Sequence, residues 1–174
     1  MIKTAWYKKP EMIVALSALL ISVVTTIIGL YSTMIDRSYA RASVWPRVEL
    51  YRSFSPEKGF FSYGLMNNGT GPAIMEYAKV SYKGEPVKKW SDFIAASSLV
   101  QSHISTRILP SQANVSAVAI KDKAYITEML KMDEQVEIEL CYCSIYDECW
   151  VVDRNNQPKE VAQCEIANDQ RFVQ

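Results

Sequence analysis

Histidine is almost absent: the 174-residue chain has one, His103. Any Ser-His-Asp or Cys-His site would have to use it, and no G-x-S-x-G elbow accompanies it. C-x-x-C is missing too, which removes the usual redox pair and the paired knuckles of common structural zinc sites. There is no excess of either charge, with 19 Lys and Arg against 19 Asp and Glu. That balance offers no basic field to a nucleic acid. Neither an internal repeat nor a low-complexity tract is found. The length fits one domain, or one domain with an appendage.

Charge is also missing locally, from Met12 to Ile35. As a helix, these residues would extend about 36 Å, enough to cross a hydrocarbon core of about 30 Å. Trp6, Tyr7 and Tyr31 lie near the ends, where aromatic rings suit the headgroup region. The expected layout is an N-terminal segment over 1–11, a transmembrane helix over 12–35, a stalk over 36–43 and a folded domain over 44–174. A cleaved signal peptide is the rival reading. Ser38-Tyr39-Ala40 resembles a small-x-small cleavage site, but the apolar run is far longer than a signal peptide's usual one. Within the run, Ala18, Ser22 and Thr26 recur every fourth residue, as do Thr25, Gly29 and Thr33. Small residues at this spacing permit close helix packing. Flanking charge leaves orientation near a tie, with Lys3, Lys8 and Lys9 on one side and Arg37, Arg41 and Arg47 on the other.

After residue 43 the pattern changes to short alternating runs separated by turn residues. "VWPRVELYRSF", "FFSYGLM", "AIMEYAKVSYKG", "HISTRIL", "NVSAVAI", "QVEIELCYCSIY" and "CWVV" read as strands. "KWSDFIAASSLV", with Ser91 as N-cap, and "AYITEMLKM" read as short helices. About seven strands with two short helices predict a mainly β fold, an antiparallel β-sandwich of immunoglobulin-like architecture.

The membrane helix followed by "ASVWPRVEL" and "NNGTGPAIMEYAKVSYKGEPVKKWSDF" resembles a loose group of uncharacterised bacterial single-pass membrane-anchored proteins. In that group an Asn-x-Gly-x-Gly-Pro-Ala turn joins two strands of a small sandwich. The likeness covers roughly residues 42–93 and the anchor. It implies architecture and brings no known activity. In a bacterium, the glycosylation patterns at Asn68-Gly69-Thr70 and Asn114-Val115-Ser116 carry no weight.

The turn itself, Asn68, Gly69, Gly71 and Pro72, reads as structural. Glycines can adopt positive φ, and proline fixes φ and lacks a donor. A phosphate-cradling loop leads from a strand into a helix and carries a lysine. Here strand alternation follows, and the next lysine is Lys79.

All four cysteines fall late: Cys141, Cys143, Cys149 and Cys164. If Cys143 stands opposite Cys149 in a hairpin, Tyr142 faces Trp150 and Leu140 faces Val152. The apolar residues then share one face and the cysteines the other. Cys141 and Cys143 would be about 6.5–7 Å apart at Cα, the limit for a bridge. This favours Cys143–Cys149 with Cys141–Cys164, although four cysteines allow three pairings. Two disulfides belong in an oxidising compartment and orient the chain, with its N-terminus cytoplasmic and the domain periplasmic. A zinc site, free thiols and a redox pair are the alternatives.

Asp147-Glu148 reads as a solvated hairpin tip, and Lys88-Lys89-Trp90 as the lead into a helix. The functional expectation is a non-enzymatic inner-membrane protein, without metal or cofactor, whose periplasmic module docks onto another membrane or envelope protein. The bilayer is the other partner, and nucleic acid is not one. A thiol-dependent or metal-binding sensor using the four cysteines is the alternative; an accessory subunit held mainly by its helix is a third.

Overall fold

The computed structural model of the protein describes residues 10–173. Lys3, Trp6, Tyr7, Lys8 and Lys9 lie outside the described residues, so the expectations placed on them are not addressed. The chain divides into two compact units after Ala42.

The first unit is one helix, α1 (Pro10–Ser43), of 34 residues. It runs through residues 36–43, where a stalk was expected, and Glu11 and Arg41 occupy its first and last turns with the signs a helix dipole favours. None of its residues is buried, and it is long and apolar enough to cross a membrane. Valine, isoleucine and threonine are mediocre helix formers in water, but an apolar surrounding leaves backbone groups no partners except each other.

The second unit is mainly antiparallel β. Its strands are β1 (Val48–Ser55), β2 (Phe60–Asn67), β3 (Ala73–Tyr82), β4 (Glu85–Val87), β5 (Leu99–Gln101), β6 (Ile108–Leu109), β7 (Asn114–Lys121), β8 (Val136–Cys143), β9 (Cys149–Asp153) and β10 (Lys159–Val161). A helix, α2 (Ile126–Asp133), joins β7 to β8. One sheet has the order β1-β2-β7-β5; the other runs β10-β9-β8-β3-β4, with β6 also on β3. Each strand pair is antiparallel.

Alternation explains which face each strand buries. Phe61, Tyr63 and Leu65 of β2 meet Val136, Ile138 and Leu140 of β8 in one apolar cluster that both sheets share. Trp90 lies fully buried within it, stacked on Tyr63 at 5.8 Å and edge-on to Phe172 at 5.0 Å.

Among the described residues, ten strands replace the expected seven or so. The run "KWSDFIAASSLV" is not a helix. It forms a three-residue 3₁₀ turn, Trp90–Asp92, and then strand β5. Burial of Trp90 decides the outcome, because the chain around it must turn to place the indole in the core. Ser91 is not the cap; Asp92 instead accepts the Lys88 and Lys89 amides, both at 2.9 Å. "HISTRIL" contributes only the two residues of β6, because Thr106 adopts φ 52° just before them.

Candidate functional site

The connection between β2 and β3 is organised around Asn67, which is fully buried. Its Oδ1 accepts the Arg47 amide at 3.1 Å and the Gly69 amide at 3.0 Å. Its Nδ2 donates to the Gly71, Leu109 and Pro110 carbonyls at 2.8, 3.1 and 3.1 Å. One amide thus ties together the β2–β3 turn, the lead-in segment 44–47 and the β6–β7 turn. The backbone adds bonds from the Asn68 amide to the Arg47 carbonyl and from the Thr70 amide to the Trp45 carbonyl, at 2.8 and 2.9 Å. Among the residues singled out from sequence, Asn68 lies at the surface and bonds Glu49 at 2.9 Å.

Gly69 and Gly71 are needed for close approach, and neither has a positive φ. A Cβ on Gly71 would lie 1.8 Å from the Val44 carbonyl oxygen, and one on Gly69 would lie 2.3 Å from that of Trp45. No backbone amide of the turn is left pointing outward as a phosphate cradle would need. Those of Asn68, Gly69, Thr70 and Gly71 all bond within the domain.

The cysteines form a second group. In the β8–β9 hairpin Cys143 faces Cys149, Tyr142 faces Trp150 and Leu140 faces Val152. The sulfurs of Cys141 and Cys164 lie at disulfide distance, and so do those of Cys143 and Cys149. Cys141, Cys143 and Cys149 are buried, and Cys164 is partly exposed. Three of the sulfurs, those of Cys143, Cys149 and Cys164, fall within 4.8 Å of one another. Zinc would need them as thiolates, which the paired form does not offer.

A third group was not read from the sequence. Asp133, at the end of α2, is buried and accepts from Arg52, from the Tyr63 hydroxyl and from Arg154 Nη2, the last at 2.8 Å. Arg154 Nη1 also donates to the Asp133 and Val136 carbonyls at 2.7 and 2.5 Å. Asn156, likewise unflagged, exchanges two hydrogen bonds with the Leu50 backbone at 2.7 and 2.8 Å. Its side chain therefore fills the place of a strand partner beside β1.

An open groove of about 340 Å³ over β3 and β8 is lined by Lys79, Ser81, Glu137, Glu139, Asp153, Arg154 and Asn155. Its charges are mixed, and His103 lies elsewhere, its ring nitrogen 3.2 Å from the Thr106 hydroxyl. Ala18, Ser22 and Thr26 are exposed on α1, where the Ser22 and Thr26 hydroxyls donate to carbonyls four residues earlier at 2.9 and 2.8 Å. Gly29 accepts in the same way from Thr33 at 2.9 Å.

Burial, and then the bond to Asp133, pushes the Tyr63 hydroxyl well above the usual tyrosine range. Burial and Glu139 push Tyr77 up to about 12. Unfolded tyrosines lose their proton near pH 10. Above that pH the folded chain holds more protons than the unfolded one, so stability falls as pH rises. Denaturant midpoints should therefore decline from pH 10 upward. Tyr63→Phe should start lower at pH 7, having lost the bond to Asp133, yet decline less steeply between pH 10 and 11.5. Parallel curves for the two proteins would count against this assignment.

Comparison of the chain with family models, with curated proteins and with solved structures gives no match.

Proposed function

We propose that the protein is a single-pass, membrane-anchored envelope protein, with its N-terminus in the cytoplasm and its β domain in the periplasm. The domain acts as a non-enzymatic interaction module for another membrane or envelope protein. The observation that carries this reading is an exposed apolar helix on the same chain as a domain whose four cysteines all pair. Disulfides of this kind persist where the compartment is oxidising.

An immunoglobulin-like sandwich is part of the proposal. The order β1-β2-β7-β5 matches the A-B-E-D sheet of that fold, and β9-β8-β3 matches G-F-C. This supports the likeness to the bacterial anchored group. The loops of such sandwiches are common docking surfaces. Among the described loop residues, Ile145 at the β8–β9 tip is 50% exposed.

Two experiments test the reading. A membrane-impermeant maleimide, applied to intact and permeabilised spheroplasts, should label the cysteines from outside only after reduction. Labelling without reductant, and only after permeabilisation, would place the domain in the cytosol. A photo-crosslinker at Ile145 should then give one defined adduct that survives exchange of α1 for an unrelated membrane helix. An adduct lost on exchange would move the association from the domain to the helix.

A further inference from the structure

The two disulfides touch. Cys143 Sγ lies 3.7 Å from Cys164 Sγ, a sulfur of the other bridge. Cys141 and Cys143 are two residues apart in β8 and face the same way, so Cys164 stands within reach of both. The two strand cysteines are held by the ladders to β3 and β9. Cys164 has no such hold, because it lies beyond β10 in a stretch with no regular structure. It is also the most exposed of the four, whereas Cys141 is fully buried. A Cys143 thiolate 3.7 Å from a sulfur of the other bridge would be placed for thiol–disulfide exchange once the Cys143–Cys149 bond opens.

We propose that the four cysteines form one thiol–disulfide exchange site whose substrate is an external dithiol, with Cys164 as the sulfur that changes partner. A thiolate of the dithiol attacks Cys149 Sγ, and the Cys143–Cys149 bond breaks with its electron pair left on Cys143. The second thiol of the reagent closes on the mixed disulfide and releases Cys149. The dithiol leaves as a disulfide, having supplied two electrons. The Cys143 thiolate then attacks Cys164 Sγ; the Cys143–Cys164 bond forms, the Cys141–Cys164 bond breaks, and Cys141 takes up a proton. One dithiol has been oxidised, and the remaining bridge has moved two residues along β8. The C-terminal segment is then clasped at Cys143 instead of Cys141.

This site goes beyond the proposed docking role. It depends on the sulfur geometry alone, so purified full-length protein in detergent micelles tests it whichever compartment holds the domain. Cys149→Ser leaves one thiol, at Cys143, beside an intact bridge. After acid quenching, alkylation and fragment mass spectrometry, the label is expected on both Cys143 and Cys141, with a Cys143–Cys164 crosslink in the latter fraction. Cys141→Ser should divide the label between Cys164 and Cys149. Wild-type protein given one equivalent of dithiothreitol needs no variant to fold. It should yield chains labelled at Cys141 and Cys149 together. Label confined to Cys143 in the first variant and to Cys164 in the second would overturn the proposal. So would wild-type chains labelled only as the original pairs.

Discussion

Gly71→Ala should destabilise the β domain by about 3 kcal/mol or more, the range of severe overpacking. The added Cβ would meet the Val44 carbonyl oxygen at 1.8 Å and its carbon at 2.2 Å. Both atoms are backbone, so no rotamer change relieves them. Relief requires the lead-in segment to move, and that breaks the bonds from Thr70 and Gly71 to the Trp45 carbonyl. Gly84→Ala is the informative comparison. Its φ is +81° with open space around the new Cβ, so only conformational strain is added, about 1 kcal/mol. Urea midpoints followed by tryptophan fluorescence would rank the two. If Gly71→Ala costs no more than Gly84→Ala, the turn does not clamp residues 44–47.

Asp133→Asn is the second large effect, expected at about 3 kcal/mol, the lower end of the cost of breaking a buried ion pair. The Asp133 side chain is 2% exposed, while Arg52 and Arg154 retain 41% and 32%. The carboxylate therefore supplies the interaction, and the two guanidiniums can partly recover water when it is lost. Arg52→Met should cost less than Asp133→Asn, because Arg154 and Tyr63 still satisfy the carboxylate. Equal losses from the two variants would show that the three groups do not share one acceptor.

Alternation made the long strands legible. In β8, Val136, Ile138, Leu140 and Tyr142 are buried on one face, and the register that puts them there also sets Cys143 opposite Cys149. The short strands β4, β5 and β10 were not legible and β6 was read too long, since two or three residues do not complete an alternating pattern. In the turn, the glycines and proline drew attention to Asn68, while the organising amide is Asn67, whose role depends on three chain segments far apart in sequence. Asp133 did carry a signal. An acidic residue in the last turn of a helix opposes the helix dipole and calls for a compensating partner. Asn156, in "RNNQP", looked like any turn residue; its value lies in reaching Leu50, which no local pattern reports.

Phe172, fully buried and edge-on to Trp90, lies beyond β10, the last described strand. Its amide donates to the Ala78 carbonyl at 2.9 Å, and that of Val173 donates to the Lys88 carbonyl at 3.0 Å. Synthesis therefore delivers this core side chain only after all ten described strands have been made. While the chain is still emerging, Trp90 has an open side, and the domain cannot close its core until residue 172 is free of the ribosome. Early folding of β1 to β3 has to wait, partly wet, for a phenylalanine made about 80 residues after the tryptophan it covers.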